Sequence, residues 1–417
     1  MVEFVLGCLF LLIMFSCMKG KKKYRFNPLT VYLGWWGIIC TAASLRLRGE
    51  EQASPLALII ILLGTLSFTG GYYIVAKNSV NIDKRSKYQA LKMNKKIIYA
   101  MGMIGLAIDI FVLIRIIPFV TSGYPLGLVR VIYWSLGEGI INNAFEYFLV
   151  HDILDSIILI FDCVFAVSIV NKKIDKFFFL LFVAIVSINV YTTGGRMNLV
   201  DILVFCLATI ITVKNNFVIS TKAKKIFKLM LVVFGIVIVL ITVLRQGSEN
   251  LFSTLWSMYT VNVPFMSYLL EIVKSGDIMY GSAFFGGAIN AIFVVLGRFG
   301  FAAPEVTHVL GDYINPFYEI SPGVVANAYT SHLFYFYMDG RLLGVVIEST
   351  VFGLMSAFWY FKYRSNPNTV NLIRLILIYN VIYNTFFQWK FVLTSYTVAM
   401  LIVPLCFLRE SSVKAVE

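Results

Sequence analysis

The stretch "FFFLLFVAIVSINVYTTGGRMNLVDILVFCLATIITV", residues 177–213, sets two apolar runs on either side of "YTTGGRMNLVD", Tyr191–Asp201. With its flanks, each run approaches the roughly 20 residues that carry a helix across a hydrocarbon core. Between them stand a permanent cation, Arg196, and the pair Gly194 and Gly195. The reading is two crossing helices, near 177–193 and 198–213, joined by a glycine turn that presents an arginine.

The rest of the chain repeats the pattern. Of its 417 residues 59% are hydrophobic and 14% charged, against about 25% charged in a soluble globular protein. Further apolar segments lie near 3–18, 28–45, 56–76, 97–118, 153–170, 228–244, 342–361, 370–388 and 391–408. The expected fold class is all-α, a polytopic integral membrane bundle of about eleven transmembrane helices. The basic run "KGKKKYR" follows the first apolar segment instead of preceding it, so that segment reads as a retained helix and not as a signal peptide.

The net charge of +13 raises nucleic acid as a partner, and the placement of the charges decides against it. Lys19, Lys21, Lys22, Lys23 and Arg25 fall in the first loop, and Lys77, Lys84, Arg85, Lys87, Lys92, Lys95 and Lys96 in the third. Lys172, Lys173 and Lys176, then Lys214, Lys222, Lys224, Lys225 and Lys228, then Lys362 and Arg364, follow at alternate loops. By the positive-inside rule these loops are cytoplasmic, which puts the N-terminus outside and the C-terminus, with Arg409 and Lys414, inside. The division expected is 1–244 for helices one to eight, 245–340 for a large outer loop region, and 341–417 for helices nine to eleven. The six cysteines show no paired spacing, and Cys8, Cys40, Cys163 and Cys206 lie within apolar spans, so neither a disulfide framework nor a zinc site is indicated.

On the other face basic residues stand singly: Arg130, Arg196, Arg245, Arg298 and Arg341, four of them with glycine within two residues. A guanidinium matches phosphate oxygens with a planar fork of donors and stays charged at any working pH. The competing role for each is to anchor a helix end in the headgroup layer. Arg196 and Arg245 favour the phosphate role, because they end apolar spans where topology asks for no positive charge.

The outer region is too apolar for a floating domain. "STLWSMYTVNVPFMSYLLEIV" and "GGAINAIFVVLGRFGFA" read as amphipathic or re-entrant helices lining a cavity. In "NPFYEISPGVVANAYTSHLFYFYMDG" the aromatic rings, Tyr329 among them, suit either sugar stacking or an interfacial belt.

At "NAYTSHLFYFYMDGRLLGVVIESTVFGL", residues 327–354, the chain resembles the bacterial O-antigen and capsular polysaccharide repeat-unit polymerases, which are related to the O-antigen ligases. The shared features are a polar aromatic approach, an Asp-Gly turn and a second glycine before an apolar helix, here Asp339, Gly340 and Gly344. "TTGGRMNL" resembles the family's small-residue segment ending in arginine at an outer helix boundary. The related ligases carry His-Asn or His-Ser in the approach, whereas His332 here precedes Leu333.

The resemblance implies a bundle of GT-C-like type in the bacterial cytoplasmic membrane, with its site facing the exterior. It implies polyprenyl-pyrophosphate-linked oligosaccharide as substrate, membrane lipids and a chain-length regulator protein as partners, and no cofactor. The growing glycan leaves its pyrophosphate and joins a hydroxyl of a lipid-linked repeat unit. Arginines would stabilise the leaving charge, which assigns Arg196, Arg245, Arg298 and Arg341, with Gly194, Gly195, Tyr329 and Asp201, to substrate binding. His332 and Asp339 are the candidate bases for the acceptor hydroxyl. No Asp-x-Asp pair or outer carboxylate cluster marks a metal site. Asp109, Asp155, Asp162, Asp201 and Glu348 lie in apolar spans, where an ionisable group is a functional candidate by default. They keep a second class open, a transporter or flippase of lipid-linked sugars. A ligase is the alternative within the enzyme class. His151 and His308 have no supporting motif.

Overall fold

The helices begin and end close to where the apolar runs do, as the computed structural model shows. It describes residues 1–19, 26–47, 49–79, 88–135, 137, 139–171, 174–213, 221–246, 251–327 and 330–408; among these, the side chains of 126, 221–224, 226, 244–246, 251–255 and 298 lie outside the description. In chain order the helices are α1 (Val2–Met18), α2 (Pro28–Ala43), α3 (Pro55–Asn78), α4 (Lys95–Thr121), α5 (Leu126–Trp134), α6 (Ala144–Tyr147), α7 (Asp155–Asn171), α8 (Lys176–Thr193) and α9 (Met197–Val213). They continue with α10 (Thr221–Gln246), α11 (Leu251–Thr260), α12 (Asn262–Ile272), α13 (Gly286–Leu296), α14 (Val309–Ile314), α15 (Ser331–Ser365), α16 (Thr369–Asn384) and α17 (Thr394–Ile402). A π-helical turn, Phe148–Leu154, joins α6 to α7.

Asn27 caps α2 through a reciprocal bond pair with Thr30, with Pro28 at the first turn, and Ser54 caps α3 ahead of Pro55. These residues satisfy amide groups that a helix start leaves open. Five stretches are long and apolar enough to cross a membrane: α3, α4, Ala144–Asn171, α8 and α15. Shorter apolar helices, α1, α2 and α9 among them, accompany these. The protein is a membrane protein of nearly all-α build.

The chain divides into two compact units. Unit 1 holds Met1–Arg85, Asn250–Ser365 and Ile378–Thr394, and unit 2 holds Ser86–Glu249, Asn366–Leu377 and Ser395–Glu417. The region after 250 shares unit 1 with α2 and α3, α11 packing on α2 and α12 on α3.

In unit 1, α3 and α15 meet backbone to backbone. A Cβ on Gly71 would lie 2.1 Å from the Thr350 carbonyl oxygen, and one on Gly353 2.1 Å from that of Phe68. Without a hydrophobic drive between helices in lipid, small residues allow the close approach that holds them. The polar aromatic approach, Ser331–Asp339, is helical and forms the first part of α15.

In unit 2, α7 is enclosed: every residue from Ser156 to Val170 except Ser168 is buried. A helix apolar all round sits inside a bundle. The starts of α4 and α8 are clamped together by Lys95 Nζ, 2.6 Å from Asp175 Oδ2, so these helices run parallel. Asp175 also caps α8 through the amides of Phe177 and Phe178. The last expected span, 391–408, is helical only to Ile402. It ends in a 3-10 turn and a strand, Phe407–Leu408, paired antiparallel with Lys92–Met93.

Candidate functional site

The "TTGGR" turn lies at the end of unit 2 opposite the Lys95–Asp175 clamp. Gly194 ends α8 with φ +54°, a left-handed conformation that glycine adopts without strain. The Thr192 and Thr193 hydroxyls donate to the Asn189 carbonyl, and the Gly195 amide donates to Thr193 Oγ1 at 3.0 Å. The turn thus uses this amide internally.

The cations remain. Arg196 is 6% exposed, and its Nη1 donates to Thr242 Oγ1 at 2.5 Å. Thr242 stands on α10, one turn before Arg245, so α10 delivers Arg245 to this end by its backbone; the Arg245 side chain lies outside the described residues. Arg130 arrives from α5, with Nη1 3.9 Å from where a Cβ on Gly195 would stand. Sequence reasoning had named Arg130 without weight; only the packing of α5 on α8 brings it to the turn. Thr242 gave no signal. Asp201 follows in the next turn of α9 and interacts electrostatically with Asp162 and Tyr396.

Unit 1 holds the other expected residues, and there the structure turns most of them inward. His332 is fully buried. Its Nδ1 lies 3.0 Å from the Thr385 carbonyl and its Nε2 3.1 Å from the Tyr32 hydroxyl. Trp36, Phe336, Phe352 and Trp389 surround the ring. With both nitrogens engaged and the ring fully buried, His332 serves as an interior hydrogen-bonding residue in this geometry.

Asp339 precedes a break in α15 at Gly340 and Arg341, where Arg341 has φ +56° and ψ −142°, a conformation rare for a residue with a Cβ. The break frees carbonyls that the segment 279–284 satisfies: Met279 and Tyr280 amides donate to Met338 and Asp339 oxygens. The Asp339 carboxylate accepts from the Ala283 and Phe284 amides at 2.9 and 2.7 Å. Glu348 faces Asp339, and its Oε2 has no hydrogen-bond partner among the described residues. Arg341 Nη2 donates to the carbonyls of Lys274 and Ser275. Arg298 lies in the turn Gly297–Phe299 with its side chain undescribed, and Tyr329 lies outside the described residues.

Sequence reasoning missed Arg115, which clamps Glu146 with both terminal nitrogens at 2.5 and 3.0 Å. An arginine inside an apolar span was the available signal. It also missed Asn189, whose carbonyl anchors the turn. Among the described residues no group of three or more metal-ligating side chains is present. Compared with family models, curated proteins and solved structures, the chain matches none.

Proposed function

We propose that the chain is a membrane glycosyltransferase of the repeat-unit polymerase type, with about eleven spans in a GT-C-like bundle and the "TTGGR" turn facing the exterior of a bacterial cytoplasmic membrane. One observation carries this reading: Arg130 Nη1 reaches the glycine turn that carries Arg196, at the end of unit 2 remote from Lys95 and Lys176. Two arginines brought to one glycine turn suit a multiply charged anion such as a lipid pyrophosphate.

In the reaction, the bond from the anomeric carbon of the growing glycan to the pyrophosphate oxygen breaks. A bond forms from that carbon to a hydroxyl oxygen of a lipid-linked repeat unit, which gives up its proton. Arg196, fixed by Thr242, and Arg130 would stabilise the charge left on the pyrophosphate, which a site poor in water strengthens. Purified protein in lipid, given a polyprenyl-pyrophosphate-linked repeat unit, should yield a ladder of lengthening products and release polyprenyl pyrophosphate. Transfer only to a lipid-core acceptor would favour the ligase instead, and translocation without any new glycosidic bond would favour the carrier.

A further inference from the structure

Unit 2 contains a buried polar cluster that this reaction leaves unused. Asp109, at the middle of α4, is 0% exposed, and neither carboxyl oxygen completes a hydrogen bond. The Asn189 amide faces it from α8, is itself 1% exposed, and leaves Nδ2 without a bond. Asp155 faces it from the start of α7, and Tyr133 from α5. Asp155 is 35% exposed at its side chain, and His151 Nδ1 stands 3.7 Å from its Oδ2.

His151 belongs to the π-helical turn Phe148–Leu154, is 9% exposed, and hydrogen-bonds through neither ring nitrogen. An extra residue in a helical turn is costly and recurs at functional sites. Among the described residues the cation at this end of α4, Arg115, is committed to Glu146. The remaining element packed on α4, the 403–406 turn, meets it at the opposite end, where the Asn94 amide donates to the Cys406 carbonyl. Asp109 and Asn189 thus leave polar atoms open together, with His151 beside Asp155, and among the described residues no set of ligands there could hold a metal.

We infer that Asp155 and Asp109 form a two-station proton-binding site, entered from the Asp155 and His151 side, whose occupancy is linked to anion binding at the "TTGGR" turn. A proton is the one ligand that needs no cavity. It passes from water to the half-open Asp155 and on to Asp109; at each step one O–H bond breaks and one forms, and no redox partner is required. The link to the turn is covalent and short: Asn189 faces Asp109 through its side chain and holds Thr192 and Thr193 through its carbonyl. Thr193 in turn holds the Gly195 amide beside Arg196. A change of charge on Asp109 therefore acts on the residue that anchors the turn.

The linkage rests on the reading that the turn binds pyrophosphate, and two readouts separate the claims. Calorimetric titration of the lipid-embedded protein with inorganic pyrophosphate, in two buffers of different ionisation enthalpy, should show different heats, the mark of proton exchange. Asp109→Asn should lose the share of that difference carried by Asp109, leaving the proton that pyrophosphate itself gives up. Equal heats for the unaltered protein, or a difference unchanged by Asp109→Asn, would overturn the linkage. The site itself is read by infrared spectroscopy: the C=O stretch of a protonated buried carboxyl should titrate with pH, vanish in Asp109→Asn, shift its titration in Asp155→Asn and persist in Asp162→Asn. A spectrum unchanged by Asp109→Asn would remove the proton site. If pyrophosphate fails to bind at all, the functional reading falls with the linkage, while the infrared result decides the proton site alone.

Discussion

Two arginine-bearing segments, "SHLFYFYMDGR" in unit 1 and "TTGGR" in unit 2, both carry candidate site residues in the sequence and take different local structures. In unit 1 the candidate residues are engaged by the fold, while Arg341 Nη1 and Glu348 Oε2 have no partner among the described residues. His332 is held at both nitrogens, Asp339 by two amides, and Arg341 by two carbonyls. In unit 2 the turn spends its backbone groups on itself, seats Arg196 on Thr242 and takes Arg130 beside Gly195. The comparison teaches that a polar residue in an apolar chain is judged by its surroundings as well as by its type. A buried group that packing satisfies is an architectural part; arginines brought to one glycine turn from different helices are the candidates for a ligand.

The largest effect expected is on Arg196. Arg196→Lys keeps the charge and loses the planar fork, so elongation should fall by about 10²–10³-fold, the loss typical of a single positioned donor. The thermal midpoint should stay near that of the unaltered protein. Full elongation by this variant would erase the distinction between the two segments.

The helix contact of unit 1 gives the next largest effect, this time on stability. Gly353→Val or Gly71→Val drives a side chain into a facing carbonyl, and overpacking of this kind costs on the order of 1–3 kcal/mol. A lowered midpoint in thermal unfolding checks it. Gly70→Ala, where nothing stands within 4 Å, should leave the midpoint unchanged.

Much of this was legible in advance, and the physics says which part. Every apolar segment marked between 3 and 388 is helical over most of its length, because hydrocarbon content and capping residues such as Asn27 and Ser54 act locally. The alternation of lysine-rich loops agrees with Lys95 and Lys176 standing at one end of unit 2 and Arg196 at the other. What local signals could not carry was partnership across the chain. Tyr32 and Thr385 engage His332 from far away in sequence, and Ala283 and Phe284 do the same for Asp339. The approach of Arg130 to Gly195 is equally non-local.

Intermediate in size is the turn itself. Gly194→Ala places a Cβ at φ +54°, a strain of roughly 1–2 kcal/mol. Elongation should drop with only a modest loss of midpoint, since the strain displaces Arg196 before it unfolds α8. Gly195→Val should act the same way, because its Cβ would meet Thr193 Oγ1 at 2.8 Å. Normal elongation in either variant would show that the turn does not position the arginine.

The smallest effect is expected at the lysine end. Asp175 is partly desolvated, yet bonds from Lys95, Tyr99 and the Phe178 amide hold its carboxyl down at about 2. A depressed carboxylate stabilises the fold above the ordinary carboxylate range, and that contribution is lost as pH falls through the range toward 2. Unfolding midpoints should decline over this window, and Asp175→Asn should flatten the decline. An identical pH profile in the variant would mean that other carboxylates dominate.

The most direct test compares the two segments in one assay: elongation of a lipid-linked repeat unit by purified Arg196→Lys and His332→Gln proteins, each normalised to folded material below its thermal midpoint. The account predicts that Arg196→Lys is stable and nearly inactive, whereas His332→Gln is destabilised and its folded fraction elongates at close to the unaltered rate. A stable, inactive His332→Gln beside a fully active Arg196→Lys would contradict it, and would move the chemistry from the turn in unit 2 to the helix of unit 1.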